Sequence, residues 1–313
     1  GKGAGETAVL IRQELKEPKA QVAAIGLAGE NRVFFASIEQ GRSSASRGGI
    51  GAVMGDKGLK AIAVRGTKDI HVARPAEFMD LCNEVLKYIK HREQNPIPGV
   101  MPILAGLGSP QEMKVHDEKW HTENFMWGNS RVRRKGFWTE EVEKEWTETM
   151  NKARIRLLSC YNCPMTCGAT ISMPGHPTYM MKCFSKLTYT MAAFSDLNFG
   201  LRIAQRATEY GVDGFSAPQV MAFGLELYEN GILTDEDMSG LPADNEERFF
   251  WLLDRIVRRE GIGDVLANGT YWAAKEIGKG ADAYAHHHIK KHEKLPLKLP
   301  KPNPHYFPMH SNG

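Results

Sequence analysis

Several things are missing from this sequence, and each absence narrows the reading. No apolar run reaches the ~18 residues that a helix needs to cross a bilayer, and the N-terminus lacks the charged-then-apolar pattern of a secretory signal. Neither sign of charge dominates: 40 Lys and Arg face 37 Asp and Glu for a net +3, interspersed along the chain, so nothing points to nucleic acid or a membrane surface. Cysteine is scarce and odd in number, five in all with three inside eight residues, which is not the pattern of a disulfide framework. Reduced thiols in an intracellular, metal-binding protein suit it better. No internal repeat is apparent, and Gly55-Asp56-Lys57 lacks the spacing and the Ser/Thr of a P-loop. The chain also lacks an initial Met. Its opening, Gly1 to Glu6, runs straight into a helical pattern and its end, His310 to Gly313, is abrupt, so both ends read as cuts inside a larger protein.

What is present is globular: 313 residues, 42% hydrophobic and 25% charged, enough to bury a sizeable core and commonly divided into two domains. The pattern predicts a helix over 6–16 and strands at Gln21–Gly26, Arg32–Ile38 and Lys60–Arg65. The stretch from Gly41 to Gly55 is too rich in Gly and Ser for a regular element. From Pro75 the period changes, with Phe78, Leu81, Cys82, Val85, Leu86 and Ile89 at helical spacing and Cys82 on the apolar stripe as a core residue. An irregular Pro/Gly segment at 95–110 and an aromatic-rich stretch to Trp138 follow, then helices near 139–157, 195–210, 217–230 and 245–259. Ser216 is expected to cap the third of these, with Gly231 stopping it. The fold class is α+β, with a β-rich part over 1–70, a mainly helical domain over 71–294 and a Pro-rich connection over 295–313.

The strongest chemical signal is Cys160-Tyr161-Asn162-Cys163-Pro164-Met165-Thr166-Cys167-Gly168. Thiolates are soft, charged ligands, and a C-x2-C-x3-C loop can wrap three corners of an iron–sulfur cube. Pro164 and Gly168 favour an irregular loop over a helix that would spread the sulfurs apart. Zinc is the rival metal, since short C-x2-C turns serve it too, and three unrelated buried cysteines are the plainer alternative. Either metal needs a fourth ligand, for which Cys183 is the near candidate unless it lies beyond Gly313.

A second signal is Arg47-Gly48-Gly49-Ile50-Gly51-Ala52-Val53-Met54-Gly55. Closely spaced glycines let a ligand approach backbone N–H groups, and Arg42 and Arg47 could pair with phosphate. By itself such a loop serves equally well as a structural turn.

Taken together, these strings resemble the aldehyde:ferredoxin oxidoreductase family. The resemblance rests on Ile25–Asn31, Arg47–Lys57, Leu59–Val64, Glu123-Asn124-Phe125, the cysteine loop, Gly211-Val212-Asp213 and Arg258–Asp264. It implies a tungsten ion, less often molybdenum, held by two pyranopterin (molybdopterin) dithiolenes beside one 4Fe–4S cluster, and a chain that is a fragment of the larger family fold. Cys160, Cys163 and Cys167 would be three of four cluster ligands, the fourth lying late in the family's chain. Pterin contacts would fall on Ser44, Ser46 and Arg47, with Arg42 near a phosphate. The family's D-x-x-G-L-D motif appears as Thr208 to Asp213: its leading Asp has become Thr208, while Asp213 matches. The family's pair of ligands for an inter-subunit iron falls on Arg202 and Gln205, neither able to serve, so no bridging iron is expected.

An active-site Glu of the aldehyde-oxidising members falls at or near Cys183, whose thiolate could bind tungsten directly; an inert buried Cys is the alternative. Loss of that carboxylate argues against aldehyde hydration and oxidation. The branch that suits the pattern is class II benzoyl-CoA reductase, which implies two-electron reduction of an aryl-CoA ring to a cyclic 1,5-dienoyl-CoA. Acid candidates are Glu112 and His121, whose apolar neighbours would raise or tune their pKa, with His176 a lesser one. Aldehyde oxidation by the same kind of centre, or a noncatalytic iron–sulfur or zinc module, are the other readings. Arg131, Arg133, Arg134 and Lys135 could meet coenzyme A phosphates but read more simply as a solvated face, and His286, His287, His288 and His292 as exposed residues. An iron–sulfur electron-transfer subunit, an oligomeric assembly and an anaerobic cytoplasm are implied at the same level.

Overall fold

The computed structural model describes residues 1–41, 43–94, 140–158, 168–182, 197–285 and 288–293. Helix α1 (Ala4–Glu14) leads into strand β1 (Gln21–Ile25), the short helix α2 (Leu27–Glu30), the hairpin β2 (Ile38–Gln40) and β3 (Ser43–Ala45), helix α3 (Ile50–Asp56) and strand β4 (Ala61–Val64). The four strands form one antiparallel sheet in the order β3-β2-β1-β4. Its inner face pairs Val22 and Ala24 with Ala4 and Ala8 of α1, small residues that let helix and sheet approach closely.

Two expectations change here. Of Arg32–Ile38 only Ile38 lies in a strand, as the first residue of β2: Arg32 has φ +54, and between them Ala36 makes one isolated bridge, to Val212. The Phe34 N–H donates to Ala267 and the Ser37 N–H to Gly211, so the backbone pairs with distant helix ends instead of a neighbouring strand. Conversely, the Gly/Ser stretch is partly regular, giving β3 and α3. Two glycines explain α3. A Cβ on Gly51 would lie 2.5 Å from the Ser37 carbonyl oxygen, and one on Gly55 would overlap the Gly29 carbonyl. These glycines serve the packing of α3 onto α2 and its flanks.

Beyond β4 come helix α4 (Pro75–Gln94), helix α5 (Glu140–Ala153), and an antiparallel sheet of β5 (Arg154–Leu158), β6 (Gly168–Ile171) and β7 (Tyr179–Lys182). The helix expected over 139–157 therefore ends at Ala153 and gives way to a strand, and the region after 70 is less purely helical than its sequence suggests. Helices α6 (Leu197–Tyr210), α7 (Ser216–Glu229), α8 (Asn245–Arg258), α9 (Ile262–Leu266) and α10 (Thr270–Ile277) follow, then a small hairpin of β8 (His288–Ile289) and β9 (His292–Glu293).

The main core lies among α6 to α10, with Phe199, Ile203, Val220, Met221, Phe223, Leu252, Leu253, Ile256 and Leu266 in its interior. Helix α8 shows why. Phe249, Leu252, Leu253, Ile256 and Val257 recur on one face at helical spacing. Asp244 accepts from the Glu246 and Glu247 N–H groups at one end, and Arg259 closes the other in the left-handed conformation. The Arg259 guanidinium then donates to the Asn31 and Arg32 carbonyls at 2.6 and 2.8 Å, tying the helical core to the loop after α2. Among the described residues no helix is long and apolar enough to cross a membrane.

Candidate functional site

The site is built where the β2–β3 hairpin, the junction between α6 and α7, and β9 converge. The junction is held by backbone bonds: the Asp213 N–H donates to the Phe35 carbonyl at 2.9 Å and the Ser37 N–H to the Gly211 carbonyl at 2.7 Å. Gly211 has φ +69, and a Cβ there would meet the Gly26 nitrogen at 2.7 Å, so this turn closes only with glycine. The sequence thus places Asp213 behind the loop that carries Arg47.

Asp213 is 1% exposed and its carboxylate is heavily used. Oδ2 accepts from the Ser216 N–H at 3.2 Å and the Ser216 hydroxyl at 2.9 Å, and Oδ1 accepts from the Phe215 N–H at 3.3 Å. Asp213, not Ser216, therefore caps α7, and Ser216 is the first helical residue. The same Oδ2 lies 3.8 Å from Arg47 Nη1, whose side chain is only 14% exposed. Arg47 also donates through Nη2 to the Glu293 carbonyl of β9 and stands 5.8 Å over the Phe215 ring. Its guanidinium is thus fixed from three directions, a cation set in place by the fold.

The strand beside it carries a second network. Glu39 is buried, and its Oε1 accepts from the Ser37 hydroxyl at 2.6 Å and from the Ser44 hydroxyl at 2.8 Å. Glu39 and Ser44 are direct partners in the β2–β3 ladder, so both lie on one face of the hairpin. Ser44 and Ser46 are half-buried. Glu39 and Glu293 escaped the sequence reading. The available signal was an acid two positions from Ser37 in a strand, facing a serine-rich return; placing the strand at 32–38 hid it.

Other candidates fall differently. Thr208, standing where the family pattern has Asp, donates its hydroxyl to the Ala204 carbonyl at 2.9 Å and is turned onto its own helix. Arg202 pairs with Glu246 at 2.5 Å, and the Gln205 amide donates to the Pro177 carbonyl at 2.6 Å. His176 is exposed in a turn. His288 and His292 are not free surface residues: His288 meets the Tyr271 ring edge-on at 5.0 Å and His292 stacks on Phe34 at 5.4 Å, because the β8–β9 hairpin folds back onto α10 and the loop before β2. Cys82 is half-buried, not a core residue, since the face of α4 around it is largely exposed. Among the described residues no group of three or more His, Cys, Asp or Glu is placed to hold a metal. Arg42, Glu112, His121, Arg131, Arg133, Arg134, Lys135, Cys160, Cys163, Cys167, Cys183, His286 and His287 lie outside the described residues.

With this arrangement in view, comparison with known proteins defines the class. Residues 1–66 match the N-terminal domain of aldehyde ferredoxin oxidoreductase and residues 84–308 match its domains 2 and 3. The chain belongs to the aldehyde ferredoxin oxidoreductase family. It is 32% identical over 293 residues to the tungsten-containing aldehyde ferredoxin oxidoreductase of Pyrococcus abyssi, covering 88% of this chain and 45% of that protein. It is 31% identical over 281 residues to the WOR-like subunit of an aliphatic sulfonate oxidoreductase from Pyrococcus furiosus, covering 84% of this chain and 42% of that one. A solved structure, the active site complex BamBC of benzoyl coenzyme A reductase in complex with 1,5-dienoyl-CoA, is 77% identical with a TM-score of 0.87, covering all of this chain and 48% of that chain. The chain spans less than half the length of these relatives.

Family membership implies a tungsten–pterin group, and the donor set of the described loop fits one in its chemistry. Such a group presents acidic phosphate oxygens and ring N–H groups. The loop opposes them with a fixed guanidinium, Arg47, and with hydroxyls backed by a buried carboxylate.

Proposed function

We propose that this chain is part of the active-site subunit of a tungsten–pterin, iron–sulfur oxidoreductase that reduces the ring of benzoyl-CoA, with two electrons and two protons, to a cyclic 1,5-dienoyl-CoA. The observation that carries the reading is 77% identity along the whole chain to the benzoyl coenzyme A reductase active site complex, against 31–32% to the aldehyde and sulfonate oxidoreductases. The tungsten–pterin group and its 4Fe–4S neighbour, when bound, would supply electrons at low potential.

The chain's own residues divide the remaining tasks. Arg47, Ser44, Ser46 and Arg42 hold the pterin, with Asp213 fixing the Arg47 guanidinium from behind. Cys160, Cys163 and Cys167 would hold the cluster as three of its four ligands, and Cys183 would offer tungsten a thiolate ligand. Glu112 and His121 would supply the protons destined for ring carbons, apolar sequence neighbours favouring the protonated carboxyl at Glu112 and tuning His121. The thioester carbonyl makes the ring a better electron acceptor. The reading divides the chain into the end of the pterin-binding domain over 1–70, a mainly helical domain over 71–294 and a connection over 295–313. An iron–sulfur partner subunit, an oligomeric assembly and an anaerobic cytoplasmic setting complete it; the complex in which the related structure was solved supports the multi-subunit part.

A second reading, aldehyde oxidation, is favoured by the tungsten-containing aldehyde ferredoxin oxidoreductases among the relatives. It requires a carboxylate near the metal where this chain has Cys183. The test is anaerobic purification of the native protein, metal analysis, and assay of benzoyl-CoA against aldehydes. Near-stoichiometric tungsten with about four irons and ring reduction would support the proposal, and loss of that iron in a Cys160→Ser variant would tie it to the loop. Aldehyde turnover alone would select the second reading, and zinc as the sole metal would sink both.

A further inference from the structure

Glu39 is a buried carboxylate that none of the roles above employs, and it touches the pterin-side loop directly. A serine hydroxyl has one proton to give and two lone pairs with which to accept. At Ser44 that proton is committed, because Oγ donates to Glu39 Oε1 at 2.8 Å. Ser37, fully buried, commits its own proton to the same oxygen at 2.6 Å. The ladder pairing of Glu39 with Ser44 holds the geometry, and the low exposure of Glu39 makes these bonds costly to exchange for water. Ser44 can therefore only accept from whatever lies on its open side.

We propose that Glu39 is a positioning residue that sets Ser44 as an acceptor, so that Ser44 meets an N–H of the pterin ring system and not a phosphate oxygen. The inference rests on the proposed tungsten–pterin function and adds which part of that group each loop residue reads. An ionised phosphate oxygen carries no proton to offer Ser44, and Ser44 has none left to give it. The anionic end belongs with Arg47, a cation that the fold holds in place through Asp213, the Glu293 carbonyl and the Phe215 ring. Carboxylate-backed hydroxyl and fixed guanidinium thus sort the two ends of one ligand.

The experiment measures pterin per chain, released from anaerobically purified holoenzyme by acid oxidation and quantified by its fluorescence, alongside the melting temperature. Glu39→Met removes the acceptor that claims the Ser44 proton, whereas the carbonyl of Glu39→Gln can still take both hydroxyl protons. Glu39→Met should weaken pterin binding about tenfold, the worth of one buried hydrogen bond, and so lower the pterin content, while Glu39→Gln retains most of it. Ser44→Ala on the half-buried hairpin face tests the same bond without disturbing Glu39, and Ser44→Thr should restore it. The Glu39→Met, Ser44→Ala double variant should lose no more than either single, since both delete one contact. Unchanged or increased pterin in Glu39→Met would overturn the inference, because a freed serine proton and a removed charge favour phosphate. Should Glu39→Met not fold, full pterin content in Ser44→Ala overturns it equally. Wild-type protein without pterin would overturn the functional proposal and this inference with it, an outcome distinguishable from the others before any variant is made.

Discussion

Helices α4 and α8 look alike in sequence and meet opposite fates. Each places apolar residues every three to four positions along one face. In α8, Leu252, Leu253, Ile256 and Val257 are 0% exposed, because α2, α6, α7 and α9 surround that face. In α4, Phe78, Leu81 and Val85 remain 51%, 57% and 48% exposed. Periodicity reports that a segment can be an amphipathic helix; it carries no information about what lies against the stripe. Charge pairs repeat the lesson. Arg74, just before α4, and Glu77 in its first turn approach to 2.9 Å but are mostly in solvent, while Arg47 and Asp213 stand 3.8 Å apart and largely out of it. The longer pair matters more, since water screens the shorter one.

The comparison is sharpest for truncations. Leu253→Ala should lower stability by about 2–5 kcal/mol through lost burial and the cavity left behind, whereas Leu81→Ala should change it by no more than about 0.5 kcal/mol. Parallel urea melts of this chain would show it. A large cost for Leu81→Ala in a longer form of the protein would reveal that the α4 face is covered there, and so break the contrast.

Next in size is Asp213→Ala. It removes the α7 cap and leaves the guanidinium of Arg47 without its carboxylate, together costing about 3 kcal/mol. Glu77→Ala on α4 should leave the melting temperature unchanged, and equal losses for the two substitutions would refute the ranking by burial.

The smallest effect concerns Glu209, near the end of α6, whose carboxylate accepts from the Gly5 N–H at the start of α1. Burial, reinforced by repulsion from Glu6, raises its pKa above the usual carboxylate range. A raised folded pKa means that its contribution to stability is fully present below the unfolded pKa and is lost as pH rises through the folded one. Glu209→Gln should therefore melt higher than wild type near neutrality, with the gain vanishing in acid. Melting curves at several pH values check this, and a gain that grows toward low pH would reverse the sign.

How far the sequence could be read depended on the range of the interactions concerned. Strands β1 and β4 and helices α4, α6, α7 and α8 follow from local periodicity and agree with the expected positions to within a few residues. The reading failed where partners are distant. Arg32–Ile38 has strand-like residues, yet its backbone bonds go to Gly211 and Ala267. Arg154–Leu158 continues a helical pattern but pairs with β6. The site divides in the same way. Ser44, Ser46, Arg47 and Asp213 stood out by their strings, but Glu39 and Glu293 acquire meaning only when the hairpins close.

By itself the sequence determined the family, the chemistry of its donors and most of the helices, because ligand types and apolar periods are written in adjacent residues. Tertiary structure alone decided that Asp213 caps α7 while holding Arg47, that Glu39 takes the Ser44 proton, and that the α8 stripe is buried while that of α4 is not. Each of these depends on groups far apart in the chain, and their meeting is paid for by the packing of the whole core, which no local stretch encodes.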